Sequence, residues 1–201
     1  MRAFRLTTLA MLAGAGCTQL DSNSAPEGSS ELSVVEAAGL KFTREEEKLA
    51  RDVYGVMMAS GPIFENIGAS EQQHFDAIGQ LLVTYGLQDP SAGLGAGEFE
   101  DPVLQTLYQD LVERGSPGEL AALEVGCTIE DLDLRDLDAA LADVTHADIT
   151  EVYENLARGS RNHLRAFYGK LTAAGGSYVP VYIDQMTFDS IISTPKESGP
   201  H

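Results

Sequence analysis

An acid and a histidine on one apolar helix face constrain this chain more than any other feature. Glu71 and His74 are three residues apart, and residues at this spacing are neighbours on the surface of a helix. The same face, over about 100° of arc, carries Ile67, Ile78, Leu81, Leu82 and Tyr85. Both polar side chains are therefore predicted to point into the core. Because an unpaired buried carboxylate is costly, something must compensate the charge of Glu71.

Three other predicted helices carry residues of the same chemistry on apolar stripes. Glu46 fits the stripe of the first helix, whereas its neighbour Glu47 is predicted to point away. Glu130 lies at the centre of the stripe of a later helix, and His163 lies in the middle of the stripe of the last long helix. In a helix bundle, such residues at similar depth converge, and carboxylates with imidazoles can bind iron, manganese or zinc.

Each of these residues also has a simpler interpretation. The acidic run 45–47 fits a solvated first turn that complements the helix dipole. Glu130 could pair with Arg161 or Arg165, and His163 could be an ordinary core histidine beside the small residues 159–160. The sequence leaves these alternatives open.

The helical periodicity, without strand-type alternation, predicts an all-α fold. The first helix is predicted to open at Thr43, which forms a capping box with Glu46. The last long helix is predicted to be capped by Thr145, and an earlier one by Ser116. The long predicted helices cover residues 43–60, 64–85, 102–114, 117–131 and 147–174. A break and a short helix are predicted within 132–144. After the last long helix, an extended stretch is predicted at 178–183 and a helical turn within 184–192.

Charge and the N-terminal segment bear on location and partners. The net charge of −18 argues against nucleic acid and suits a protein that attracts cations. Residues 1–17 read as a lipoprotein-type signal ending at Cys17, with ordinary export as the alternative. A lipidated Cys17 would leave Cys127 without a disulfide partner. The predicted organisation is a disordered tether at 18–33, a helical domain at 34–192 and a disordered tail at 193–201.

Four segments carry a family resemblance, namely residues 45–54, 66–74, 126–134 and 159–167. In this order they resemble the ferritin-like superfamily, and within it the family catalogued as domain of unknown function 2202. The resemblance implies a ferritin-like four-helix bundle with a metal site. The superfamily pattern has a glutamate three residues before the last histidine, where this chain has Ser160, and Asp133 is the candidate substitute. The predicted metal ligands are Glu46, Glu71, His74, Glu130, Asp133 and His163.

Two classes of function follow. The first is an exported metal protein, with iron favoured over manganese or zinc, that reacts with dioxygen or peroxide at a di-iron centre. Tyr54 and Tyr85 would lie near it, either as redox groups or as core filling. The second is a non-catalytic metal-binding module at the cell envelope, or a structural bundle whose acids pair with arginines such as Arg51. The expected partners are metal ions, with a lipid anchor as the only membrane contact, and homodimerisation stays open.

Overall fold

The computed structural model describes residues 31–199, which contain six α-helices, one 3-10 turn and no strand. The predicted all-α class is therefore confirmed for this part of the chain. The predicted signal, Cys17 and most of the tether lie outside it. The helices are α1 (Val34–Met57), α2 (Pro62–Thr84), α3 (Pro102–Gly115), α4 (Glu119–Asp143), α5 (Ala147–Ala173) and α6 (Gln185–Ser193), with the 3-10 turn at Met58–Ser60.

Four long helices form the bundle. The main packing pairs are α1 with α2 and α4 with α5, and the pairs meet where α1 contacts α4 and α2 contacts α5. The shorter α3 packs on α1 and α4, and α6 packs on α5. Among residues 31–199, no helix combines the length and apolar character that a membrane crossing requires. The four inward faces thus share one core, which includes Tyr54, Phe64, Ile78, Leu123, Ile129, Leu164 and Phe167.

The N-cap of the first helix lies ten residues earlier than predicted. Ser33 is its N-cap: the Ser33 hydroxyl accepts from the backbone N–H of Glu36 at 3.1 Å, and the Glu36 carboxylate accepts from the Ser33 N–H at 2.9 Å. Thr43 is buried within the helix, so the predicted start there is wrong. Within residues 33–46 the sequence contains two S/T-x-x-E patterns, and the earlier one is the functioning cap.

The acidic run of α1 is buried, so its interpretation as a solvated first turn is wrong. Glu45 accepts from the backbone N–H groups of residues 100 and 101 at 2.5 and 3.0 Å. Lys48 donates to Gly95 O at 2.7 Å and to Asp52 at 2.6 Å. These contacts attach the long connection between α2 and α3 to α1. The polar residues of α1 therefore pack against other parts of the protein, on a side of the helix that the apolar stripe predicts to be exposed to solvent.

Two other predicted caps are replaced. The N-cap of α4 is Gly118, and Ser116 instead ends α3. The N-cap of α5 is His146, whereas the Thr145 hydroxyl donates to Glu36 at 3.0 Å. The break predicted within 132–144 is also wrong, because α4 runs uninterrupted to Asp143.

A single carboxylate of α4 holds the extended segment that precedes α6. Asp131, fully buried, accepts from the Tyr178 hydroxyl at 2.7 Å and from the backbone N–H groups of Val181, Tyr182 and Ile183 at 2.6, 3.0 and 2.8 Å. The C-terminal stretch predicted to be extended, residues 178–183, is confirmed as non-helical, and its residues 181–183 form a bend around Asp131. Its position depends on polar contacts with α4 as well as on apolar packing.

We expect Asp131→Ala to lower the free energy of unfolding by about 3 kcal/mol, because four donors lose a charged acceptor. Urea denaturation followed by circular dichroism measures this loss. Asp138→Ala, an exposed aspartate on the same helix, serves as the control and should change stability by about 0.5 kcal/mol or less. A loss below about 1 kcal/mol for Asp131→Ala would contradict the anchoring role.

Candidate metal centre

Buried glutamates, the buried His163 and the half-buried His74 from the four long helices meet in two overlapping clusters. The first cluster consists of Glu47 from α1 with Glu71 and His74 from α2. The second consists of Glu71, Glu130 from α4 and His163 from α5. Within each cluster, one potential ligand atom per residue lies within 4.8 Å of the others. Glu71 is common to both clusters.

The two carboxylate oxygens of Glu71 face different histidines. Its Oε2 lies 2.8 Å from Nδ1 of His74, and its Oε1 lies 2.8 Å from Nδ1 of His163. The outer carboxylates complete each group: Glu47 Oε2 is 3.3 Å from His74 Nδ1, and Glu130 Oε2 is 3.4 Å from His163 Nδ1. The imidazole rings stack with centroids 5.6 Å apart. Glu71 therefore has the position of a carboxylate that bridges two neighbouring sites.

These contacts are short enough for ion pairs, yet none has the angles of a hydrogen bond. The atoms left without a hydrogen bond are both carboxylate oxygens of Glu71, Oε2 of Glu47 and Glu130, and Nδ1 of both histidines. Buried polar atoms are normally satisfied, so six such atoms in one place need an explanation. Once the imidazoles release their Nδ1 protons, these six atoms offer converging lone pairs, which a bound cation requires.

Burial and neighbouring charge shift the pKa values of the centre in opposite directions. Burial and the charge of Glu71 raise the pKa of Glu130 to about 7. Burial also favours the neutral form of Glu71, but the charges of His163 and His74 outweigh burial and hold the pKa of Glu71 well below its usual value. Burial lowers the pKa of His163, but Glu71 and Glu130 reverse this and raise it to about 10. Without a metal, protonated imidazoles are thus the cations that balance Glu71.

Two further contacts orient ligand candidates. Nε2 of His163 lies 3.0 Å from the Ser70 hydroxyl, which leaves Nδ1 turned toward the carboxylates. The Tyr54 hydroxyl donates to Glu130 Oε1 at 2.5 Å. Outer contacts of this kind fix the tautomer and direction of metal ligands. Tyr85, the other tyrosine considered from the sequence, instead donates to Asp148 at 2.8 Å and packs against His146.

The structure brings together four of the six predicted ligands, namely Glu71, His74, Glu130 and His163. Glu46 belongs to neither cluster; burial and the nearby Asp136 raise its pKa well above the usual value. Glu47, which was predicted to point away, takes the place expected for Glu46. The prediction that Glu47 points away is wrong because α1 contacts α2, α3 and α4. Residues all around α1 are therefore buried, and the apolar stripe does not identify the side facing the centre.

Asp133 lies close to the centre without belonging to either cluster. It is buried, its Oδ2 has no hydrogen bond, and burial followed by the charges of Glu47 and Glu130 raises its pKa well above the usual value. Ser160, which occupies the position of the missing glutamate, is buried and donates to Leu156 O at 3.2 Å. The additional carboxylate beside the clusters thus comes from α4 instead of α5.

The arginine alternative for Glu130 is wrong. Arg161 and Arg165 both pair with Glu197 of the C-terminal segment. Arg51 pairs with Asp52 at 2.8 Å and donates to Gln72. Among residues 31–199, the cationic groups that pair with Glu71 and Glu130 are therefore the two imidazoles.

Gly159 makes room for an imidazole, although for a different one than the sequence suggested. A Cβ atom at this position would lie 2.5 Å from Cε1 and 2.6 Å from Nε2 of His74, but 3.8 Å from His163. Contacts below 3.0 Å force a shift. The absence of a side chain at position 159 of α5 therefore lets His74 of α2 approach the centre.

We expect Gly159→Ala to weaken metal binding at least about tenfold, because the new methyl group displaces His74. Titration calorimetry with Fe(II) or Mn(II) measures the affinity. Gly169→Ala is the matched control: it lies on the same helix with open space around it, and should raise stability by up to about 1 kcal/mol without changing the affinity. Equal affinities in the two variants would rule out the spacing role.

Comparison with known proteins identifies the family. A family model described as "Uncharacterized protein domain (DUF2202)" matches residues 36–195. The uncharacterized protein MJ0754 of Methanocaldococcus jannaschii is 46% identical over 170 residues, which cover 84% of this chain and 92% of that protein. The crystal structure of the hypothetical protein MJ0754 matches with a TM-score of 0.82 at 45% identity, over 87% of this chain and all of that one. The chain therefore belongs to the DUF2202 family.

Proposed function

We propose that this protein binds two metal ions side by side in the bundle core, and that iron is its metal. The observation that carries the proposal is the shared Glu71, whose two oxygens each lie 2.8 Å from a different imidazole. Each ion would take one histidine, one outer glutamate and one oxygen of Glu71. The ferritin-like resemblance of the four helix segments supports the same arrangement.

The donor set fits a hard-to-borderline ion. It consists of carboxylate oxygens and imidazole nitrogens, which suit iron, manganese and zinc. Burial raises the pKa of Cys127, so this thiol stays protonated and does not compete as a soft ligand. Three carboxylates packed together in a low dielectric repel one another, and two divalent ions would remove that penalty. The six atoms without hydrogen bonds would then all have partners.

We further propose that the centre reacts with dioxygen or peroxide. A pair of iron ions supplies the redox chemistry. The chain's own contribution would be to hold the ions at fixed separation through Glu71 and to exclude bulk water through a fully buried set of carboxylates. Ser70 would hold the His163 ring, and Tyr54 would donate to Glu130 as charge changes on that carboxylate. Asp133 is a buried group beside the centre that can hold a proton.

A second candidate is metal binding without turnover, for storage or sensing at the cell envelope. It is favoured by the missing glutamate on α5, where Ser160 donates to Leu156 O and offers no ligand. With fewer anionic ligands, the centre would be less able to stabilise oxidised metal.

Elemental analysis of the anaerobically purified protein, followed by an optical spectrum on exposure to air, separates these proposals. We expect one transition-metal ion for each of the two clusters, and an absorption change with air if the centre is redox active. Bound metal with an unchanged spectrum would favour the non-catalytic candidate. Absence of transition metal, also after incubation with Fe(II), Mn(II) and Zn(II), would overturn both.

We also propose that the protein is exported and lipidated at Cys17. The support is the order of a basic start at Arg2 and Arg5, a short apolar stretch, small residues and Cys17, ahead of a family match that begins at residue 36. Expression with a labelled fatty acid tests this. The label should enter the wild-type chain and be lost in Cys17→Ala; equal labelling of both would exclude the assignment.

A further inference from the structure

A cleft leads from the surface to the edges of both histidines. It has a volume of about 740 Å³ and lies between α2 and α5, with His74 and His163 on its inner wall next to Ser70 and Gly159. His163 is 9% exposed and His74 is partly exposed, whereas Glu71 and Glu130 are fully buried. In the described residues, the imidazole side of the centre is therefore the side a small molecule can approach through this cleft.

The C-terminal segment forms part of the cleft wall. Residues 194–199, which we call the strap, follow α6, and residues 196–199 line the cleft opposite the helices. This stretch was predicted to be a disordered tail. Instead, Glu197 is attached to α5.

Most of the attachment involves one residue, Glu197, although Arg165 Nη2 also donates to the Thr194 hydroxyl at 2.9 Å. Arg161 binds both Glu197 oxygens, with Nε to Oε1 at 2.8 Å and Nη2 to Oε2 at 2.6 Å, and Nη2 of Arg165 reaches Oε1 at 2.8 Å. The backbone of Glu197 is paired as well: its N–H donates to Asn162 Oδ1 at 2.8 Å, and its carbonyl accepts from Asn162 Nδ2 at 3.1 Å. We call these five hydrogen bonds of Glu197 the clasp.

The clasp joins charged groups that are partly exposed to solvent. The arginines lower the pKa of Glu197 to about 2, so the carboxylate is charged at any physiological pH. The side chains of Glu197 and Arg161 are each 31% exposed and that of Arg165 is 11% exposed, and water and salt weaken ion pairs that are partly exposed. Lys196 and Ser198, on either side of Glu197, are exposed. The clasp therefore lies where water and salt can compete for its ion pairs.

We propose that the strap is a gate over the route to the metal centre and that Glu197 is its latch. This inference rests on the proposed function for its purpose, since a closed cleft matters if the imidazoles hold a reactive ion. Among the described residues that line the cleft, Glu197 is the carboxylate, and Arg161 and Arg165 already neutralise it. The lining also contains Arg158 and Lys196. It thus offers a free cation no uncompensated anion, and the route disfavours cations relative to uncharged reactants such as hydrogen peroxide.

Histidine modification by diethyl pyrocarbonate, followed by mass spectrometry of the peptides, tests the gate without requiring a metal. The reagent attacks neutral imidazole, and the pKa values of both cleft histidines are raised, so all proteins are compared at one pH and the ratio of their rates is the readout. In Glu197→Gln we expect His74 and His163 to react about fivefold faster than in the wild type, which corresponds to about 1 kcal/mol of lost closure. His146 lies outside the cleft and is the internal reference, with an unchanged rate. Glu154→Gln on α5 removes an equal charge from an exposed position and should leave all rates unchanged.

Salt provides a second measurement that needs no variant. Screening weakens partly exposed ion pairs, so the two cleft histidines of the wild type should react faster at 1 M than at 0.1 M sodium chloride, and those of Glu197→Gln should not. Equal rates in wild type and Glu197→Gln, or a wild-type rate independent of salt, would overturn the gate. If the rates rise as expected in a protein that binds no metal, the gate stands and the proposed function fails.

Discussion

Glu71→Gln is expected to abolish metal binding at both positions. The two clusters share this carboxylate, so one substitution removes an anionic ligand from each ion, and an amide is a weak ligand in its place. Wild-type protein should carry one ion for each of the two clusters, and the variant close to none. Elemental analysis of both proteins, purified in parallel and checked for helix content by circular dichroism, measures the difference.

Neighbouring glutamates on α1 provide a matched control for this result. Glu47→Gln removes a ligand from the first cluster and should lower metal content by about half. Glu46→Gln removes an adjacent buried carboxylate of the same length and should leave metal content unchanged, because Glu46 lies beside Asp136 outside both clusters. Equal losses in the two variants, or full occupancy of Glu71→Gln, would contradict the proposed centre.

Removal of the metal is expected to cost more stability at about pH 9 than at about pH 6. In the metal-free protein the pKa of His163 is raised from 6.5 to about 10, so its stabilising effect is complete below pH 6.5 and is lost as pH rises toward 10. The pKa of Glu130 is raised from 4.5 to about 7, so the stability associated with its protonated form is lost as pH rises between those values. Glu71 has a lowered pKa, and its contribution is lost only as pH falls below about 4.5.

These directions make the metal-free protein less stable as pH rises, by up to about 1.4 kcal/mol per pH unit for each proton involved. Metal ligands must be deprotonated, so the metal-bound form does not suffer this loss and metal affinity increases over the same range. Thermal unfolding with and without a chelator at the two pH values measures the stability that is lost when the metal is removed. If this loss is the same at both pH values, or smaller at about pH 9, the histidines do not exchange protons for metal.

The sequence was most informative where a residue contradicts its surroundings. Glu71, His74, Glu130 and His163 interrupt apolar stripes, and all four lie in the clusters. Such positions can be recognised because a charged group on an apolar stripe costs free energy unless it has a partner. The all-α class followed from the same periodicity.

The rest depended on contacts between distant parts of the chain. Glu47 could not be distinguished from Glu46 without knowing that α1 is covered by α2, α3 and α4. The competing caps at Ser33 and Thr43 have the same local pattern, and the contacts of Glu36 with residues 145 and 146 favour the first. The clasp joins Glu197 to arginines more than thirty residues away, for which no spacing rule exists. Only the fold brings these groups together.

One turn of α4 joins the centre to the C-terminal segment. Glu130 belongs to the second cluster, and the next residue, Asp131, holds the backbone N–H groups of residues 181–183. Local unfolding of this turn would remove Glu130 from the second cluster and break the hydrogen bonds of Asp131 to residues 181–183 at the same time. The bundle core and the segment leading to α6 therefore form one cooperative unfolding unit, so the segment's backbone amides should share the hydrogen-exchange protection of the core.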